Sequence, residues 1–232
     1  MSVLEEKIKN HFDQEAKAFD ELILKLIPHY TEMLEALVNI IPFEKYDKFK
    51  VVDLGCGTGT IAGKIKRRFS NAKVLCLDFA ESMIEMAKTK LAGYDGVAFY
   101  TGDFTNYDFD EPSDVIVSSL ALHHLPTDKD KASFYKKIFS ALSYGGVFYN
   151  VDLVLASNNK IQDLYMEKWK AFLRKKVPNG EIEEVWMPKY YEEDRPASMT
   201  KHLDWLQKAG FKDVDVIFKY YNFAVYGGVK RS

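Results

Sequence analysis

Three glycines spaced two apart behind a carboxylate, in Asp53-Leu54-Gly55-Cys56-Gly57-Thr58-Gly59-Thr60, are the residues of this chain best suited to hold a nucleoside. The apolar run before them and Ile61-Ala62-Gly63-Lys64-Ile65 after them read as a buried strand turning sharply into a helix, with glycines where a side chain would block a ligand. Backbone N–H groups at such a helix start face outward and carry partial positive charge. A second apolar run, from Lys73 to Leu77, ends in Asp78. That acid falls about 20 residues beyond Gly57, where folds of this kind set the carboxylate that accepts two ribose hydroxyls. The other chemistry-bearing group is His123-His124, and imidazole is the side chain whose ordinary pKa suits a general base near neutral pH. Two readings of the pair stay open: one histidine takes an acceptor's proton, or both pack and cap their loop.

The spacing also excludes. A dinucleotide fingerprint needs its third small residue three places after the second glycine, but Thr60 stands there and the third glycine is Gly59. No Gly-Lys-Ser/Thr follows, so the phosphate cradle of P-loop enzymes is absent. Adjacent histidines alone make a poor metal site, and no helical pair or cysteine cluster completes one, so no metal is expected.

The elements that must position these groups are legible as alternation. Residues 2 to about 41 have helical periodicity, broken at Pro28 and ended at Pro42. From Phe49 onward the pattern predicts strand 50–54, helix 60–69, strand 73–78, helix 81–91, strands 97–101 and 114–118, helix 128–142 and strand 146–152. Such alternation makes an α/β fold with a parallel, doubly wound, Rossmann-like sheet and helices on both faces. Residues 153–198 interrupt it, with a helix at 161–176 and a short amphipathic piece to Trp186, as a cap over the sheet's carboxyl edge. A helix at 199–209 then leads to strands 213–219 and 221–228, joined tightly enough to be an antiparallel hairpin. The expected organisation is one domain: an N-terminal helical cap (1–45), a cofactor-binding core (46–152), the cap insertion (153–198) and a terminal helix and hairpin (199–232).

At 232 residues the chain can bury a substantial core, and its net charge of −2 leaves no electrostatic footprint for nucleic acid. The basic stretches Lys64 to Arg68 and Lys168 to Lys176 read as solvated helix faces. Cys56 and Cys76 lack metal-ligand spacing and read as reduced thiols on adjacent strands. Acid stands early in Met1-Ser-Val-Leu-Glu-Glu, unlike a signal peptide, and no apolar run approaches the roughly 20 residues that span a bilayer. The expected setting is cytoplasmic, without membrane contact, and a homodimer is left open.

The glycine loop, once the dinucleotide and P-loop patterns are excluded, resembles motif I of the class I S-adenosylmethionine-dependent methyltransferases. Ligands of open α/β sheets sit beyond the strands' carboxyl ends, so each end can be read against that cofactor. Gly55, Cys56 and Gly57 would let its methionine portion and sugar approach; Asp53 would steady the loop and reach the ammonium through water. Asp78 suits the ribose diol, Phe79 the adenine edge, and Met83 an apolar floor. Asp103 could accept from the adenine amino group and the Phe104 amide donate to a ring nitrogen. Core packing equally explains Phe79, Met83 and Phe104, and a turn cap equally explains Asp103.

The resemblance extends through Leu77-Asp78-Phe79-Ala80-Glu81-Ser82-Met83, Thr101-Gly102-Asp103-Phe104 and Leu142 to Gly146. Ile27-Pro28-His29-Tyr30, Lys208-Ala209-Gly210-Phe211 and Tyr221-Asn222-Phe223 are similar to the branch containing carboxy-S-adenosylmethionine synthase and its uncharacterised methyltransferase relatives. That resemblance implies a seven-stranded mixed sheet and adds Tyr30 and Ser119 as cofactor contacts. It also implies an arginine for the additional carboxylate of the synthase's cofactor; an ungapped count puts Met187 there, with Arg195 nearby, and a thioether cannot replace a bidentate guanidinium.

The expected function is methyl transfer from S-adenosylmethionine to a small-molecule acceptor, leaving S-adenosylhomocysteine. The in-line displacement needs alignment and a dry site rather than a covalent intermediate. Its rivals are carboxy-S-adenosylmethionine synthesis and a non-catalytic cofactor-binding module. Asp152, at the end of the fifth strand, is a further candidate substrate contact. Trp186, Tyr190, Tyr191, Tyr220, Tyr221 and Phe223 either line an acceptor pocket or pack as a strand face.

Overall fold

A computed structural model describes residues 18–231 together with Glu6, Lys7 and Lys9. The helical expectation for residues 2–17 therefore lies outside the described residues, those three apart. Helices α1 (Phe19–Leu26) and α2 (Tyr30–Ile40) precede strand β1 (Lys50–Leu54). Then come α3 (Thr60–Arg68), β2 (Lys73–Asp78), α4 (Glu81–Leu91), β3 (Val97–Thr101) and β4 (Ser113–Ser119). After a 3-10 turn at Leu122–His124 follow α5 (Asp128–Ala141) and β5 (Leu142–Leu153).

The sheet has seven strands in the order β3-β2-β1-β4-β5-β7-β6, where β6 is Lys212–Tyr220 and β7 is Phe223–Val229. The first five strands in that order pair in parallel, whereas β7 runs antiparallel to both β5 and β6. The order reverses between β1 and β4, which opens a crevice at their carboxyl ends. The seven-stranded mixed sheet is as expected.

Side chains alternate across the strands, so each strand feeds two cores. Val51, Val74, Val115, Val117 and Val147 pack on one face with Met33, Leu34 and Leu37 of α2 and Ile61 and Ile65 of α3. Val52, Leu54, Leu77, Ile116 and Phe148 pack on the other with Phe134, Tyr135 and Ile138 of α5. Leu37 is wholly buried, so Leu37→Ala is expected to cost about 2–5 kcal/mol.

Local signals explain most element ends. Thr127 and Asp130 form a reciprocal capping box at the start of α5. The hairpin differs from expectation by a residue or two: Tyr221, read as strand, lies in the turn with φ of 49°, and Asn222 follows before β7 begins. The aromatic run there has strand propensity throughout, so composition could not mark the corner.

The cap also departs in detail. Its first helix, α6, is Asn159–Leu173 rather than 161–176, because the Asn158 side chain accepts the Ile161 N–H and starts it early. The piece near Trp186 is a continuous helical stretch: a turn α7 (Asn179–Glu181), a π-helical turn at Ile182–Trp186, and α8 (Met187–Glu193). Helix α9 (Met199–Ala209) then returns the chain to the sheet. Trp169 Nε1 donates to the Leu26 carbonyl at 2.8 Å, tying the cap to α1. Among the described residues no helix is long and apolar enough to cross a membrane.

Candidate active site

Of the cofactor contacts and histidines read from the sequence, all but His123 line one cavity of about 850 Å³: Tyr30, Gly55, Cys56, Gly57, Asp78, Phe79, Met83, Asp103, Phe104, Ser119 and His124. Asp53 lines it as well. These residues come from the carboxyl ends of the first four strands and the start of α2, as the β1/β4 crevice requires.

The glycine loop is held by its own neighbours. Gly57 (φ 52°) donates its N–H to Asp78 Oδ2 at 2.8 Å, and Ala80 N–H donates to Asp78 Oδ1 at 2.9 Å. Gly55 has φ of 65°, and a Cβ there would stand 2.4 Å from that of Ala121. Glycine at 55 thus answers a backbone conformation and a protein contact, beyond the ligand clearance expected from sequence.

Asp53 is buried, and its Oδ2 has no hydrogen-bond partner among the described residues. Burial pushes its carboxyl up to about 7, against a hydrogen bond from the Ala62 backbone and with repulsion from Asp78. An orphaned buried acceptor costs about 1–3 kcal/mol, a cost that a ligand donor at that point would remove. Burial also pushes the Tyr30 phenol up to about 12. Asp103 is a turn cap too, accepting from the Thr105 N–H at 2.8 Å and from Asn106 Nδ2 at 2.8 Å. Phe104 meets Phe134 with ring centroids 5.3 Å apart, so it serves core and cavity together. Cys56 and Cys76 are buried free thiols.

A smaller cavity, about 130 Å³, lies between α1 and the cap, and Phe19, Leu120 and His124 line both spaces. Its apolar wall includes Ile23, Trp169, Trp186, Tyr190 and Phe223. Tyr220 and Tyr221 do not reach it, and Tyr191 is mostly exposed. Leu120 has φ of 52°, a conformation seldom adopted by a branched apolar residue and a form of local strain that clusters at functional sites.

The two histidines separate in role. His123 is buried outside the larger cavity; its Nδ1 meets Asp152 Oδ1 at 2.5 Å and its Nε2 lies 3.4 Å from Asp194 Oδ1. Burial opposes charge on His123, but the Asp152 and Asp194 carboxylates outweigh it and raise the imidazole to about 10. For His124, burial and the neighbouring His123 lower it to about 4. His124 borders both cavities, while His123 lies behind it against Asp152 and Asp194. Asp152, expected as a substrate contact, is fully buried and lines neither cavity; it accepts from Asn150 Nδ2 at 3.0 Å and from the Leu153 N–H at 2.9 Å.

Sequence reasoning missed two acids. Asp20 of α1 accepts from Thr58 Oγ1 at 2.6 Å and pairs with Lys90 at 2.5 Å, latching α1 to the glycine loop. Asp194, just after α8, reaches both histidines. Neither acid falls in a motif, and only the three-dimensional return of α1 and the cap brings them in.

The fold and this strand-end site define the class: the chain has the class I S-adenosylmethionine-dependent methyltransferase fold, and residues 51–146 match the family model described as a methyltransferase domain. The chain is similar to the carboxy-S-adenosyl-L-methionine synthase of Nautilia profundicola, 27% identical over 218 residues that cover 93% of this chain and 92% of the relative. Among solved structures, the DhpI-SAM-HEP complex superposes with a TM-score of 0.66 at 19% identity, covering 98% of both chains. Human N-acetylserotonin methyltransferase in complex with SAM gives a TM-score of 0.64 at 16% identity; there the match covers 97% of this chain and 57% of that longer one. The family match supports S-adenosylmethionine as the cofactor.

Proposed function

We propose that the chain moves a methyl group from S-adenosylmethionine to a small-molecule acceptor held in the smaller cavity. The observation that carries this is the shared wall of Phe19, Leu120 and His124, where the two spaces meet. In the larger cavity the Gly55 to Gly57 loop and Asp78 hold sugar, Asp53 faces the ammonium, and Phe79, Met83, Asp103 and Phe104 surround the adenine. Tyr30 and Ser119 close that site from α2 and β4. When bound, the cofactor supplies an electrophilic methyl on a sulfonium.

The chain's own contribution is position and dryness. A cavity of about 150 Å³ accommodates a benzene ring, so the smaller space suits a single-ring or similarly compact apolar group. Trp169, Trp186 and Tyr190 shield it from water, while His124 is the polar group on the shared wall. A panel of compact hydroxyl- and amine-bearing acceptors, read by S-adenosylhomocysteine release, tests the reading. Turnover on a panel member supports it; cofactor binding with no turnover on any would favour a non-catalytic module.

The relatives' name favours a second reading, carboxy-S-adenosylmethionine synthesis. Against it, Met187 is buried in α8, and neither Met187 nor Arg195 lines either cavity. Arg195 instead donates to the Asp194 carbonyl at 2.7 Å. Mass spectrometry of ligand released from the purified chain separates the readings, since the carboxylated cofactor is heavier.

A further inference from the structure

We propose that His123, His124 and Asp194 form a binding site for one divalent cation of the zinc type where the two cavities meet. Asp194 Oδ1 stands 3.4 Å from His123 Nε2 and 3.5 Å from His124 Nδ1, and one ligand atom from each of the three residues lies within 4.8 Å of the other two; His124 Nδ1 also lies 3.3 Å from the Glu193 carbonyl, a contact that ion binding would replace. Charge-assisted hydrogen bonds are shorter, about 2.7–2.9 Å. Two ligands bound at 2.0–2.1 Å to a tetrahedral ion, by contrast, sit about 3.4 Å apart. The spacing also fits groups that share an ion.

The surroundings supply the supporting shell that metal-binding histidines require. His123 directs Nδ1 to the buried Asp152 carboxylate, which is itself held by Asn150 and the Leu153 N–H, so Nε2 is turned towards Asp194. This is the carboxylate–histidine–metal arrangement. The ligand set is anchored across the fold: the Arg195 N–H donates to the His123 carbonyl at 3.0 Å, fixing the cap against the 3-10 turn. The π-helical turn at Ile182–Trp186 lies in the helical stretch that delivers Asp194, and such turns recur at functional sites.

Three protein ligands leave one position of a tetrahedral ion for a small molecule, the pattern of catalytic rather than structural zinc. All three residues line the smaller cavity, so that position belongs to an acceptor bearing oxygen. A coordinated hydroxyl gives up its proton to solvent near neutral pH, and its oxygen then attacks the methyl carbon as the carbon–sulfur bond breaks with its electron pair on sulfur. This role rests on the methyltransferase reading; the existence of the site does not.

The test uses the tag-free 232-residue chain, stripped with a chelator and titrated with zinc by calorimetry and with cobalt by visible absorption, in the absence of cofactor. The expected result is uptake of one ion per chain with a dissociation constant in the micromolar range or below and tetrahedral cobalt bands. His124→Gln and Asp194→Asn are each expected to weaken uptake on the order of 100-fold, and Asp152→Asn by about 10–100-fold. No saturable uptake by the wild-type chain, or uptake that these variants leave unchanged, overturns the proposal. Circular dichroism checks folding; should one variant not fold, the other ligand variant and the wild-type cobalt spectrum still decide. Titrating the same sample with S-adenosylmethionine reads the other site: cofactor binding without zinc uptake sinks this proposal alone.

Discussion

Asp78 accepts the N–H of Gly57 at 2.8 Å, so the acid at the end of β2 holds the loop at the end of β1. The same carboxylate is the one assigned to the ribose, which makes loop shape and ligand grip depend on one side chain. Asp78→Ala is expected to weaken S-adenosylmethionine binding about 10–100-fold, the equivalent of the 1.5–3 kcal/mol of a hydrogen bond to a charged group. Calorimetry reads this directly, and unaltered affinity would remove Asp78 from the site.

Asp53 makes cofactor binding depend on pH. Its carboxyl is raised to about 7 by burial, and Asp78, Tyr30 and Cys56 are the titratable groups coupled to it. A folded acid with a raised pKa binds protons that the unfolded chain has released, so its contribution to stability is lost as pH rises from about 4 to about 7. A ligand ammonium favours the ionised form, so affinity should climb as pH approaches 7 and level off above it. Asp53→Asn should flatten that profile; a wild-type profile already flat between pH 5 and 8 would contradict the assignment.

The pair His123 and Asp152 should behave as structure. Both side chains are buried, and removing one partner leaves a charge without compensation, at about 3–5 kcal/mol. Asp152→Ala is expected to lower thermal stability strongly. His124→Gln is expected to leave cofactor affinity near wild type and cut turnover at least tenfold, because His124 borders the reacting space. Equal stability of Asp152→Ala and wild type, or full turnover by His124→Gln, would contradict this division.

The strand-to-helix periodicity and the acid-glycine spacing made the sheet core and much of the larger cavity's lining legible, because both are local in sequence: strand ends carry Gly55, Asp78, Asp103 and Ser119. The cap was less legible. Its helices bury residues against α1 and β7, and the helical stretch that carries Asp194 begins with Asn179-Gly180, a turn signal by composition. His123 and His124 were readable as a pair but not divisible, since only tertiary placement brings Asp152 and Asp194 against His123 and leaves burial and His123 to lower His124. Tyr30 and Ser119 were legible through family resemblance alone, and the structure lines the larger cavity with both.

The latch of Asp20 with Thr58 and Lys90 gives a kinetic prediction. Asp20 is partly exposed, so each contact is modest, in the range of about 0.2–1 kcal/mol. Asp20→Asn should speed cofactor release a few-fold in stopped-flow measurements with little loss of fold stability. An unchanged release rate would mean that α1 does not restrain the ligand.

Calorimetric titration of the purified chain with S-adenosylmethionine, repeated with S-adenosylhomocysteine, is the most direct measurement. Saturable binding of each at one site per chain, weakened by Asp78→Ala, is the predicted result. Absence of binding by both ligands to folded protein would contradict the assignment of the larger cavity.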